Sequence, residues 1–566
     1  MRGVQQAAML ALIAGVVACS KPRQWPPSSG ALPRTRPELT AFRETSRYSD
    51  VRAFLDSLRI LGAPLTFGSI GRTSEGREIP YVIAARPRVS TPAEAKALRR
   101  PIVYVQGNIH AGEIEGKEAL LALIRDLTFS RKSNVLDSVV LIAVPIYNAD
   151  GNERFAAQSV NRTEQNGPEL VGTRANAQGL DLNRDYVKAE APETRASLAM
   201  FAAWDPDVFV DLHTTDGSFH GYALTYSPSL NPAAVFGGVY ARDSLLPILR
   251  QRMRARHGFQ VFDYGNFVSD ERDAVADTAV REGWATYDAR PRFGTNYFGI
   301  RGRIAILSEA YSHDSLERRI ASTYAFVKEI LSLAGERSAA IRALTARADS
   351  QPLAWGRAPD SLQMVPVRSE LIANPTMMDV IKEDIDKSDS SITQAGVPRG
   401  KVRSGRYRTI RMPVFDRFTS TLDRAPPALY VLAPGDTAIV RLLRMHGIRV
   451  ERSDSAWTAR GESFMVDSII ASPRPFQGHR EVRLKGHWER GLQTLPSRSF
   501  IVPTAQAKGT LAVYLLEPES DDGFVNWNLF DRELKKGAPY SVRRIFDLRR
   551  RGANIRRSIV ATSSPN

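Results

Sequence analysis

The chain has 566 residues, of which 43% are hydrophobic, 24% charged and 8% aromatic, the balance of a globular protein and not of a disordered or fibrous one. Lys plus Arg number 77 against 61 Asp plus Glu, a formal charge of +16. A single cysteine excludes a disulfide framework, a Cys-based zinc finger and an iron–sulfur cluster, so any metal site must come from eight histidines and the carboxylates. The length allows two to four domains at roughly 150 residues each.

The only cysteine, Cys19, follows an apolar run from Ala7 to Ala18. That run is shorter than the ~20 residues needed to span a bilayer and suits the core of a signal peptide. Val16-Val17-Ala18-Cys19 resembles the lipobox of bacterial lipoproteins, which implies acylation of Cys19 and membrane attachment through an N-terminal lipid; the plainer alternative is a secretory signal with a chance cysteine. The expected localisation is exported and in the cell envelope. Ser20 follows the cysteine, and without an aspartate there the outer membrane is expected over the inner. Residues 20–39, with Pro22, Pro26, Pro27, Pro33 and Pro37, read as an extended tether.

Apolar residues at helical spacing over Val51–Ile60 predict a helix closed by Gly62, and Leu65–Ala85 predict a hairpin turning at Gly71–Gly76. Strand-length apolar runs follow at Ile102–Gln106, Val139–Pro145, Val208–Leu212 and Ile304–Leu307, with helices between them at Ile114–Phe129 and Pro192–Ala203. This alternation predicts an α/β fold, a mixed sheet flanked by helices, over residues 40–335. Beyond residue 340 the pattern changes. A helix over Ser338–Asp349, a polar stretch over 350–425, a helix over Val440–His446 and short strands at Ala428–Leu432, Phe464–Val466, Phe500–Val502 and Leu511–Leu516 predict a C-terminal α+β accessory domain over 345–560. The acidic loop Leu515–Phe524 reads as a solvated turn, with cation binding as the sharper alternative. The arginines at 543, 544, 549, 550, 551, 556 and 557 read as a solvated basic helix, or as a contact with an anionic envelope surface. Basic residues elsewhere are scattered without interleaved aromatics, so nucleic acid is not expected as a partner.

In α/β sheets functional residues collect where strands end. Here the first strand runs into His110-Ala-Gly-Glu113; Val208–Leu212 is followed by His213; Ile304–Leu307 is followed by Ser308 and Glu309. Between them lies Arg174-Ala-Asn-Ala-Gln-Gly-Leu-Asp181-Leu-Asn183-Arg184-Asp185. Two His and one Glu leave an open position on a four-coordinate zinc, and a further carboxylate can take a proton from its water. Arg174 can stabilise an oxyanion, and Asn183 with Arg184 suits a carboxylate.

This set, in this order, resembles the zinc carboxypeptidase family over residues 40–335, through Gly71–Ile79, His110-x-x-Glu113, Asn148-Ala-Asp-Gly151, the Arg174–Arg184 block, His213 and Glu309. The Gly172–Arg184 stretch looks most like the regulatory branch that cleaves basic residues. The resemblance implies a zinc metallocarboxypeptidase that hydrolyses the C-terminal bond of peptides with a free carboxylate. It implies one Zn2+ per chain on His110, Glu113 and His213, with Glu309 as the base activating a zinc-bound water. It further implies Arg174 at the oxyanion, Asn183 and Arg184 on the terminal carboxylate, and Asp181 as the acceptor that fixes the His110 tautomer. A substrate-closing tyrosine is implied as well: Tyr287 has the better spacing and Tyr297 is the alternative. Departures are Ala149 where Pro is usual and Asp185 where Asn is commoner. No residue marks the side-chain specificity pocket. A cell-wall peptide amidase or another amide hydrolase on this scaffold is the neighbouring reading, and a non-catalytic binding lipoprotein the distant one; the presence of Glu309 speaks against the latter. His220 and His313 read as surface residues or as groups behind the ligands, with bordering the cleft as the alternative; His257, His446, His479 and His487 read as ordinary.

Overall fold

The computed structural model describes residues 32–268, 280, 282–355, 363–391 and 393–546. The apolar leader, Cys19, the start of the Pro-rich stretch and the arginines from Arg549 onward lie outside the described residues.

Eight strands form the principal sheet: β1 (Thr66–Arg72), β2 (Glu78–Ala84), β3 (Ile102–Gly107), β4 (Val140–Val144), β5 (Val208–Thr214), β6 (Leu224–Pro228), β7 (Val261–Asp263) and β8 (Ile304–Ala310). Their spatial order is β1-β2-β4-β3-β5-β8-β6-β7. The central β4, β3, β5 and β8 are parallel, while β1, β2 and β6 join antiparallel. All residues of the four central strands are buried, which is why they read as continuous apolar runs and not as alternating ones. Their side chains still divide by period two. Val103, Val105, Leu141, Val208, Val210 and Ile306 pack under the helices Glu115–Phe129 and Leu316–Glu336. Tyr104, Ile142 and Phe209 pack under Pro192–Trp204 and Gly294–Ile300. From β3 the chain moves to β4 on one side and later returns to β5 on the other. Its loops part there, opening a crevice at the carboxyl ends.

The Pro-rich stretch is not wholly a tether. Arg125, fully buried, donates to both carboxylate oxygens of Glu38 (2.6 and 2.9 Å) and to the Pro33 carbonyl (3.0 Å), so residues from Pro33 onward are fastened to the folded body.

The C-terminal half departs furthest from expectation. The polar stretch over 350–425 forms two long antiparallel ribbons, Val365–Ile372 with Arg417–Arg424 and Met378–Lys387 with Lys401–Met412. Leu511–Leu516 belongs to a helix, Gly509–Leu516, not a strand; a short run buried on all sides carries no period to tell the two apart. Arg543–Ile545 is a strand inside a six-stranded sheet, not a helix, and Arg544 is buried against Glu462 and Glu517. The acidic loop is not a solvated turn either: Glu517 and Asp522 are fully buried, each facing an arginine from a distant segment. One apolar core runs from Phe201, Phe209 and Tyr297 through Trp355, Leu432 and Val513 to Trp527. The two halves are therefore fused through a common interior.

Candidate active site

After β3 the chain turns through Asn108, whose φ of +65° is left-handed. Its side-chain amide holds the turn by donating to the carbonyls of Ala111 (3.1 Å) and Glu113 (3.3 Å). The helix begins at Glu115, two residues past Glu113, so the His110–Glu113 pair sits on the turn itself. Glycines bring that helix close to the sheet: a Cβ on Gly116 would lie 2.7 Å from the Leu212 Cβ, and one on Gly107 would lie 2.9 Å from the Gly116 carbonyl carbon. The turn is thus held over the end of β5, where His213 stands.

His110, Glu113 and His213 offer ligand atoms all within 4.8 Å of one another. Glu113 Oε1 lies 2.9 Å from His110 Nδ1, and Oε2 lies 2.9 Å from His213 Nδ1. The far nitrogens are engaged elsewhere: His110 Nε2 is 3.0 Å from Asp181 and His213 Nε2 is 3.1 Å from Asp211. If each Nε2 carries its proton toward its carboxylate, both Nδ1 lone pairs turn inward, only 3.2 Å apart. Two lone pairs and a carboxylate converging in a buried space demand a cation, and two imidazoles with a carboxylate suit zinc. The carboxylates around the triad call for positive charge: against its burial, Asp211 and Glu113 push the His213 imidazole well above its ordinary range. Glu113 is held well below the ordinary carboxylate range by His110 and Arg162 in spite of its burial. Burial likewise opposes ionisation of Asp181, but His110, Arg184 and Arg174 hold its carboxyl low.

Glu309 pairs in parallel register with His213, so both project from the same face of adjacent strands. Burial pushes its carboxyl well above the usual range, a rise that His213 opposes and Glu113 strengthens. Arg174 donates to Asp181 (2.9 Å) and reaches Glu113 (3.4 Å), which sets its guanidinium over the triad. Arg184 lies 3.9 Å above the Phe293 ring and donates to the Asn183 carbonyl (2.9 Å). Asn183 Oδ1 accepts from the Gly294 N–H (2.8 Å). The triad, Glu309, Arg174, Asn183, Arg184 and Tyr287 line one cavity of about 140 Å³. Asp181 stands behind His110. Tyr287 is half-buried in the wall, its ring against Phe293 and Tyr264. Tyr297 is in the core, its hydroxyl 2.8 Å from His446 Nδ1, and does not line the cavity.

Sequence reasoning missed several contributors. Asp211 is two residues before His213 on the same strand, hence on the same face; that D-x-H spacing was the available signal. Arg162 donates to Glu113 (3.1 Å) and to the Thr214 and Thr215 carbonyls (3.2 and 3.0 Å) from a loop with no distinguishing pattern. Asp216, Tyr264, Phe293 and Thr295 also line the cavity. His220 and His313 do not line it. Both are buried beside Tyr311, and burial lowers them to about 3 and about 4.

Residues 51–235 match the family model described as zinc carboxypeptidase. Among curated proteins, the chain is 22% identical to "Carboxypeptidase 2" of Trichophyton equinum over 537 residues, 89% of this chain and 87% of that protein. It is 35% identical to the "Carboxypeptidase N catalytic chain" of Homo sapiens over 126 residues, 21% of this chain and 25% of that one. Among solved structures, a metallo-carboxypeptidase from Burkholderia cenocepacia aligns with 51% of this chain and 69% of its own at 20% identity and a TM-score of 0.37. By the match over residues 51–235, and by carboxypeptidases aligned along most of its length, the chain carries a zinc carboxypeptidase domain, of a family of zinc-dependent peptide hydrolases.

Proposed function

We propose that this protein is an exported metallocarboxypeptidase that binds one zinc per chain and removes the C-terminal residue from peptides. The observation that carries the reading is the opening of four groups onto one cavity: the His–Glu–His triad, the buried carboxylate of Glu309, the guanidinium of Arg174 and the Asn183–Arg184 pair. Zinc, when bound, supplies a Lewis acid that polarises the scissile carbonyl and acidifies water. The chain's own residues do the rest. Arg184 and Asn183 receive the substrate's terminal carboxylate through charge-assisted hydrogen bonds, which fixes the last peptide bond in register. Glu309 takes the proton of the attacking water and delivers it to the leaving amine. Arg174, on the Glu113 side of the cavity, stabilises the charge that develops on the carbonyl oxygen. Tyr287 forms a wall that limits the access of solvent.

Arg184→Ala tests the carboxylate assignment. Hydrogen bonds to charged groups contribute about 1.5–3 kcal/mol, so kcat/KM should fall roughly 10- to 100-fold for a peptide with a free C-terminus. Binding of the C-terminally amidated peptide should hardly change. Equal losses for both would point to another amide hydrolase on the same scaffold.

The lipobox-like Val16–Cys19 segment supports acylation and anchoring in the envelope. Cys19→Ser should abolish metabolic labelling by a fatty acid and release the protein from the membrane fraction. Persistent membrane partitioning without label would mean that the basic surface holds it there.

A further inference from the structure

We propose that Asp522, in the acidic loop of the C-terminal half, is a positioning residue for the Asn183–Arg184 pair. This rests on the reading of that pair as the carboxylate receptor. Asp522 is fully buried and its carboxylate is fully engaged. Oδ2 accepts the backbone N–H of Arg292 at 2.6 Å, while Oδ1 accepts Arg292 Nε at 2.8 Å and the Trp527 indole N–H at 2.9 Å. One side chain thus fixes both the main chain and the side chain of Arg292.

The next two residues carry that constraint into the cavity. Phe293 places its ring 3.9 Å from the Arg184 guanidinium. Gly294 gives its N–H to Asn183 Oδ1 at 2.8 Å, and a Cβ there would lie 2.7 Å from the Tyr186 ring, so the segment has little room to shift. Arg184 itself is held loosely by polar contacts: one hydrogen bond, to the Asn183 carbonyl, and a 4.0 Å approach to Asp181. Its orientation therefore depends on the ring beside it, and the ring depends on Asp522. A second contact from the same half reaches the metal side of the site, where Gln477 accepts the Asp181 N–H at 2.9 Å. The C-terminal half thus meets the site at both walls. A purely structural ion pair between halves would affect stability alone; a positioning residue must also affect recognition of the carboxylate.

Asp522→Asn in the full-length, zinc-loaded protein separates the two. It turns one acceptor into a donor that faces the Arg292 N–H. With an N-blocked dipeptide as substrate, KM should rise about tenfold with kcat within about twofold, the range typical of outer partners of a site. Zinc content and binding of the dipeptide amide should be unchanged. In an Arg184→Ala background the same substitution should add far less, because the route through Phe293 to Arg184 is gone and only the one through Gly294 to Asn183 is left. Phe293→Leu leaves the Asp522–Arg292 contacts in place and should raise KM similarly, which keeps the test open if Asp522→Asn folds poorly. A lower melting temperature with KM unchanged overturns the proposal, as does a KM effect that persists in full without Arg184, or a Phe293→Leu enzyme with normal KM. If Arg184→Ala alone left KM unchanged, the carboxylate reading would fall first and this inference with it.

Discussion

Glu309→Gln is expected to keep zinc content and substrate affinity near those of the parent while turnover falls by roughly 10²- to 10⁴-fold, the typical contribution of a general base. The substitution keeps the shape of a side chain 8% exposed and removes only its capacity to accept a proton. Glu309 stands beside His213 in the sheet and outside the cluster of converging ligand atoms, so holding the metal does not depend on it. The decisive pattern is a split: kcat collapses, KM and metal content do not. Elemental analysis with steady-state kinetics reads all three. Wild-type turnover in the Gln variant would remove Glu309 from the mechanism; loss of zinc would make it a ligand.

His213→Ala should do the reverse, abolishing activity by emptying the metal site. It removes one of two imidazoles from a set with three donors and leaves Asp211, fully buried, with only the Gln106 amide at 3.1 Å. A buried polar group that loses its partner costs about 1–3 kcal/mol, so the melting temperature should fall even in the apo state. Elemental analysis should find most of the zinc gone from soluble protein. Full occupancy in this variant would take His213 out of the ligand set.

The sheet and the triad were legible because both write short-range signals. Central parallel strands are buried on two faces and appear as apolar runs, and each run is followed within a few residues by a polar group, His110, His213 or Glu309, where the crevice opens. Long-range pairing leaves no such mark. Asp522 meets Arg292 across 230 positions, so the acidic loop looked like a solvated turn until its partners were in place. Arg162 likewise reaches Glu113 from 49 residues away. The ribbons over 365–424 escaped notice because much of their surface is exposed, and polar residues on both faces blur the alternation. Spacing favoured Tyr287 over Tyr297, but the decisive difference is spatial: the Tyr297 hydroxyl meets His446 Nδ1, which commits Tyr297 to the core.

The most direct measurement is a digest of a mixed peptide pool read by mass spectrometry, with matched free and amidated C-termini, before and after chelation. Loss of single residues from free C-termini, with amidated partners intact, activity stopped by the chelator and restored by zinc, is the result predicted here. Internal cleavage, equal trimming of amidated peptides, or indifference to the chelator would contradict a zinc carboxypeptidase acting through Arg184 and Glu309.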